Sequence, residues 1–311
     1  MTELHDLSAL EQGAAIRRGE TTAAELVDHY LDRIARLSED LGAFVTVTGD
    51  AARRSASTLT GEGPLAGVPT AIKDLNQTAG VPTMFGSALL RDFVPDVSDE
   101  VVLRIERAGL VSLGKTNTPE FGSPCYTEPD VAPPAVTPYD TSRMAGGSSG
   151  GAAAAVAAGL VPVAQGSDGG GSIRIPASCC GLVGFKPTRG VISSAPTYGD
   201  PVGLATNGPL ARTVRDAAAL LDVMAGRAVG DPTWAPVEPY LVACDHEPGR
   251  LRVARFVAPV IAEADVDPEC RTAWEHASRL LEELGHEVVD VEVPVPLEAV
   301  PVFETCWAVL T

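Results

Sequence analysis

Lysine is scarce in this sequence of 311 residues: Lys73, Lys115 and Lys186 are the only three, so arginine carries nearly all the positive charge. Histidine is nearly as sparse, with His5, His29, His246, His276 and His286 and none between positions 30 and 245. A serine in that interval would have to draw an imidazole base from the periphery of the chain. The six cysteines form no C-x-x-C pair, which removes the usual zinc and thioredoxin-type patterns. Cys179 and Cys180 are adjacent and too close for an ordinary disulfide, so reduced, mostly buried thiols are expected. No run of about 18 apolar residues is free of charge or glycine, so no membrane span is expected. The opening MTELHDLSALEQGAAIRRGE lacks the basic-then-apolar order of a signal peptide, which leaves a cytoplasmic address as the default. Neither G-x-x-x-x-G-K-[ST] nor H-E-x-x-H occurs, and no other metal spacing is present. Acidic residues outnumber basic ones by 41 to 23, a net charge of −18 that argues against a broad nucleic-acid footprint.

What is present reads as a globular chain, with 45% apolar and 21% charged residues. Ser8-Ala-Leu-Glu11 and Thr22-Ala-Ala-Glu25 have capping-box spacing, and Leu26, Tyr30, Ile34 and Leu37 follow the second at helical intervals. Ala43 to Thr48 reads as a strand and Ala51 to Leu59 as a helix. Val68 to Ile72 is a short apolar strand that delivers Lys73 and Asp74 at its C-terminal end. Ser98 is the expected cap of a helix with Val101, Val102, Ile105 and Leu110 inward, leading into a strand over Val111 to Leu113. Pro119 to Arg143 is a long irregular segment of the kind that often carries function. Further helices are expected over Gly151–Ala158 and Thr213–Ala225, and strands over Val161–Ala164 and Gly181–Phe185. Near the end, strands over Leu251–Val257 and Glu287–Val293 flank a helix capped by Asp267-Pro268.

This alternation predicts an α/β fold with a mixed, largely parallel central sheet covered by helices on both faces. A single domain over 1–311 is expected, with a helical part at 1–60, a core at 61–228 and a peripheral α/β part at 229–311. Gly230 to Gly249, with four prolines, reads as a surface connection. A last helix begins near Glu298, and the apolar ending CWAVLT suggests a chain truncated at its C-terminus.

Two serine-bearing glycine clusters, Gly146-Gly147-Ser148-Ser149-Gly150-Gly151 and Gly169-Gly170-Gly171-Ser172, flank an alanine-rich segment. Serines in such runs serve as turn residues or as nucleophiles among backbone N–H donors. Gly146 to Gly150 matches G-x-S-x-G, but none of the downstream histidines lies in a stretch suited to that triad. Ser112-Leu-Gly-Lys115 matches S-x-x-K, but on an apparent buried strand and without companion motifs. A serine nucleophile with a lysine base is the chemistry these absences leave best supported. A lysine with a reference pKa of about 10.4 can be that base near neutral pH only if burial favours its neutral form, and Val68, Ala71 and Ile72 around Lys73 suit that.

Gly146 to Gly190 resembles the signature of the amidase signature family, with its G-G-S-S-G-G cluster, G-S-I-R-I-P-A-S run and G-F-K-P-T-R-G exit. Ala66-Gly-Val-Pro-Thr-Ala-Ile-Lys73-Asp74, Gly114-Lys-Thr-Asn-Thr-Pro-Glu120 and Gly208-Pro-Leu-Ala-Arg-Thr-Val-Arg-Asp216 resemble further landmarks of the family. Thr127-Glu-Pro129 and Ile173 to Gly190 look most like the branch of 6-aminohexanoate cyclic-dimer hydrolase. The resemblance implies the amidase signature fold without its C-terminal part, and an amidase working through an acyl-enzyme. It implies Ser172 as nucleophile, Ser148 as the bridging serine after a cis peptide, and Lys73 as base. Backbone N–H groups of Gly169, Gly170, Gly171 and Ser172 suit an oxyanion hole, with Gly169 where the family has threonine. Asp168 and Arg174 are expected to pair and hold that loop, with Ser149 in support and Ser123 lining the substrate pocket. No metal and no organic cofactor are implied. The expected partner is a small-molecule amide, with no nucleic acid, no membrane and a homodimer as the assembly considered. Two alternatives stand beside this reading. One is the amidase-type component of a glutaminyl-tRNA amidotransferase, although that subfamily has glutamine where Ile175 stands. The other is a non-catalytic truncated fragment.

Overall fold

Both capping boxes form. Ser8 Oγ accepts from Glu11 N and the Glu11 carboxylate accepts from Ser8 N, opening α1 (Ala9–Arg18); Thr22 and Glu25 do the same for α2 (Ala23–Leu41). The fold was obtained as a computed structural model describing residues 3–59, 62–196, 202–233, 235–236, 239–260 and 264–310. It divides into two compact units, 1–244 and 245–311, the boundary lying within the proline-rich stretch read as a connection.

In the first unit α2 is followed by β1 (Phe44–Val47), α3 (Gly49–Ser57), β2 (Pro69–Lys73), α4 (Glu100–Arg107) and β3 (Val111–Thr116). These strands form a three-stranded sheet in the order β1-β3-β2. β2 and β3 are parallel because α4 carries the chain across between them, whereas β1 is antiparallel to β3. All five residues of β2 are buried, as its unbroken apolar reading requires. Ser98 does not cap α4. Asp99 is the N-cap residue, and Ser98 Oγ instead accepts from Ala79 N at 2.9 Å, tying down the preceding loop.

The hairpin β4 (Val136–Thr137) and β5 (Asp140–Met144) leads to α5 (Gly150–Ala157), β6 (Val163–Asp168), α6 (Arg174–Cys179), β7 (Val183–Gly184), β8 (Thr206–Ala211), α7 (Val214–Met224) and α8 (Tyr240–Ala243). A second antiparallel sheet has the order β6-β8-β7. The expected central sheet is therefore met as two three-stranded sheets. Their neighbouring strands β2 and β6 are joined by side chains: Thr70 Oγ1 donates to Val163 O at 3.1 Å and Gln165 Oε1 accepts from Lys73 N at 2.9 Å. Pairing is mixed, and parallel ladders are fewer than expected among the described residues. They occur only at β2–β3 and β9–β10, where a helix links the two strands.

Helix α5 lies inside this assembly, with Gly150 through Val156 all buried. Its glycines and alanines are what permit that placement. A Cβ on Gly151 would stand 2.5 Å from Ala43 O and against Asn117 N. Two apolar clusters complete the core, one around α2 and α5 (Leu26, Tyr30, Ile34, Val156), the other around α4 and α7 (Val101, Ile105, Leu220, Met224). Of the six thiols only Cys180 is buried, fewer than expected.

The second unit holds β9 (Arg252–Arg255), α9 (Pro268–Glu283), β10 (Glu287–Asp290) and α10 (Ala299–Leu310). Asp267 caps α9 with Pro268 in the first turn, as expected, and the Arg255 guanidinium lies 4.6 Å from the Trp274 ring. No helix of the described residues is long and apolar enough to cross a membrane.

Candidate active site

Lys73 ends β2 with none of its surface exposed. Its Nζ donates to Ser148 Oγ at 2.7 Å and to Ser167 Oγ at 3.1 Å, with Ser167 O at 3.4 Å. Burial lowers its pKa to about 7, against the opposing pull of the Asp168 carboxylate. The side chain therefore sits where neutral and charged forms are close in free energy near neutral pH.

Ser148 follows a cis peptide bond to Gly147, and the segment before it is clasped by the long irregular loop. Thr127 Oγ1 donates to Gly146 O at 2.9 Å, and a Cβ on Gly147 would meet the Tyr126 backbone at 2.6 Å. On the same loop, a Cβ on Gly122 would lie 3.3 Å from Ser148 Oγ, which brings the neighbouring Ser123 to the edge of the site. Ser123 is half-buried.

Ser172 is 7% exposed, and its carbonyl accepts from Ser149 N at 3.1 Å. Its hydroxyl makes no hydrogen bond among the described residues, so the structure joins Lys73 to Ser148 without closing a link from Ser148 to Ser172. Ser149 serves the scaffold. Its hydroxyl donates to Ser167 O at 3.2 Å and accepts from Ser167 N at 3.3 Å, fastening the start of α5 to β6.

The turn between β6 and α6 is organised by Asp168, which is fully buried. Arg174 donates to it through Nε at 2.8 Å and Nη2 at 2.9 Å, and the backbone N–H groups of Gly171 and Ile173 donate at 2.7 and 3.2 Å. Burial pushes the Asp168 carboxyl up, but these bonds and the Arg174 charge outweigh it and hold the pKa below the usual carboxylate range. The expected Asp168–Arg174 pair is thus present. One expectation is corrected: Gly171 N–H is committed to Asp168 and is not an open oxyanion donor. The N–H groups of Gly169, Gly170 and Ser172 have no acceptor among the described residues.

Ser167 and Gln165 were not anticipated from the sequence. Both meet Lys73, one at Nζ and the other at the backbone N–H. Residues i and i+2 of a strand share a face, so β6 read as a strand already aligned them. A second buried lysine lies close by. Lys115 Nζ donates to Asn76 O at 2.7 Å and Thr83 Oγ1 at 2.8 Å, and forms an ion pair with Asp74 at 3.3 Å. Burial pushes Lys115 down and Asp74 up, each shift opposed by the partner's charge. Gln165 Nε2 donates to Asn76 Oδ1 at 2.8 Å and so links this network to Lys73. With Lys115 engaged there, the S-x-x-K match at Ser112 is structural.

The chain matches the family model described as Amidase over residues 25–310. It belongs to the amidase signature family. Among similar proteins, the 6-aminohexanoate-cyclic-dimer hydrolase of Paenarthrobacter ureafaciens is 40% identical over 294 residues, covering 91% of this chain and 58% of that one. The amidase-type component of the glutamyl-tRNA(Gln) amidotransferase of Chromohalobacter salexigens is 41% identical over 309 residues, covering 96% and 63%. A solved structure of 6-aminohexanoate cyclic dimer hydrolase with substrate superposes with a TM-score of 0.86 at 37% identity, covering 93% of this chain and 61% of that one. The chain therefore spans about three-fifths of the length of these amidase-family relatives.

Proposed function

We propose that this protein hydrolyses a carboxamide through an acyl-enzyme on Ser172. The observation that carries the reading is the buried Lys73 amine 2.7 Å from Ser148 Oγ, with its pKa lowered to about 7. Ser172 Oγ attacks the amide carbonyl while its proton passes to Ser148, and the Ser148 proton passes to neutral Lys73. The carbonyl oxygen gathers negative charge among the N–H groups of Gly169, Gly170 and Ser172, where the loss of one donor typically costs about 10²–10³ in rate. The relay then returns a proton to the leaving nitrogen as the C–N bond breaks, and water releases the acid from Ser172. Asp168 and Arg174 hold the turn on which Ser172 sits. No metal or organic cofactor enters this scheme.

The similarity to an amidotransferase component supports a second reading, in which the amide is that of glutamine. In this chain the apolar Ile175 packs at Gly171, where a Cβ would meet Ile175 Cδ1 at 2.7 Å. Hydrolysis of an anilide and ammonia release from glutamine, each in the wild type, Ser172→Ala and Lys73→Ala, test both. Anilide cleavage lost in both variants is expected. Cleavage that survives either variant overturns the mechanism.

A further inference from the structure

The exit segment G-F-K-P-T-R-G has no part in the chemistry above, yet it borders the same turn. A cavity of about 530 Å³ opens beside Gly169, and its wall includes Arg174, Lys186, Thr188, Arg189 and Thr206. Three cationic side chains thus meet in a chain with a net charge of −18 and only three lysines. No acidic residue shares the wall among the described residues.

Their charges are unequally compensated. Arg174 is paired through Nε and Nη2 with Asp168. Lys186 Nζ donates only to the neighbouring Pro187 O at 2.7 Å, and Arg189 Nη1 to Val202 O at 3.4 Å. Neither meets a carboxylate among the described residues. Two cations without a counter-ion therefore face one cavity, with the hydroxyls of Thr188 and Thr206 on the same wall. Like charges gathered in this way cost free energy, and an anion lying between them relieves it.

We infer that this cavity is an anion subsite that binds a carboxylate carried by the amide substrate, with Lys186 and Arg189 as its charged ligands. The subsite begins at Gly169, three residues before Ser172, so a carboxylate held there lies on the same molecule as the amide being cleaved. The assignment to a substrate rests on the amide-hydrolase reading above, whereas the anion site itself does not. The substrate class that follows is an amide bearing a terminal carboxylate, in preference to a neutral amide of the same length.

The test has two arms, both on the full chain. Calorimetric titration with hexanoate is expected to show saturable binding. That binding is expected to be weakened by at least about tenfold in Lys186→Met/Arg189→Met, as for loss of a charge-assisted bond. Lys186→Arg, which keeps the charge, is expected to retain it. No saturable binding in the wild type, or equal binding in the double variant, overturns the subsite. In the second arm, kcat/KM is compared for 6-acetamidohexanoate and N-hexylacetamide. The carboxylate substrate is expected to be favoured by about tenfold or more, a ratio that falls towards one in the double variant. If hexanoate binds as described but neither amide is cleaved, the subsite stands and the amide-hydrolase reading falls. If both amides are cleaved equally and hexanoate does not bind, the reading stands and the subsite falls.

Discussion

Lys73 Nζ and Ser148 Oγ stand 2.7 Å apart, the lysine closing a strand buried at all five positions and the serine following the cis peptide at Gly147. Neither group can be hydrated freely, so each is the other's principal polar partner together with Ser167. An amine held in that way is a base only when neutral, and its burial makes the neutral form accessible near pH 7.

The same burial has a consequence for stability. Lys73 has a folded pKa of about 7 against an ordinary value of 10.5. Between these values the unfolded chain binds the extra proton, so stability rises with pH through that window and the full cost is present below it. Lys73→Met is expected to unfold at higher denaturant concentration than the wild type at pH 6, with the difference shrinking as pH rises to 10. Urea titrations of both proteins across that range check this, and a difference that grows with pH contradicts it.

Removing Asp168 is expected to be more damaging than removing Arg174. Asp168→Ala leaves the N–H groups of Gly171 and Ile173 without their acceptor, at about 1–3 kcal/mol for each buried donor left unpaired. Arg174 is 54% exposed and can be rehydrated, and in Arg174→Met the backbone bonds to Asp168 remain. Chemical denaturation of the two variants orders them, and equal losses go against this account of the turn.

Lys115→Met leaves Asp74 buried without its counter-charge and is expected to destabilise the fold by about 3–5 kcal/mol. Adding Asp74→Leu is expected to recover part of that loss, which a double-mutant cycle measures. A single variant as stable as the wild type indicates that the pair does not hold this network.

Gly151→Ala places a methyl group against Ala43 O and Asn117 N, both backbone atoms that cannot swing away. A loss of about 1–3 kcal/mol is expected from this overpacking, even though alanine is the better helix former. Thermal unfolding compares the two proteins, and a more stable variant contradicts the placement of α5.

Much of this was legible in the sequence. The capping boxes at Ser8 and Thr22 and the inward stripe of α4 are local patterns, and local patterns survive folding. Lys73 was legible because a charged residue ending an apolar strand is unusual, and Ser148 and Ser172 because their glycine clusters are. Partner choice was less legible. Ser98 has the composition of a cap but bonds a loop nineteen residues earlier, a competition only the fold decides. The commitment of Gly171 N–H to Asp168 depends on a turn geometry that four consecutive small residues do not specify. Parallel pairing was overestimated because alternating helices and strands do not reveal which strands return directly.

The central claim is that Ser172 is a nucleophile activated through Ser148 by Lys73. Labelling with a fluorophosphonate, with the adduct mapped by mass spectrometry and its rate followed from pH 5 to 9, tests it most directly. The account predicts a single adduct on Ser172 whose rate rises through an apparent pKa of about 7 and is lost in Lys73→Ala. An adduct on any other residue, or a Ser172 adduct whose rate is unchanged in Lys73→Ala, contradicts it.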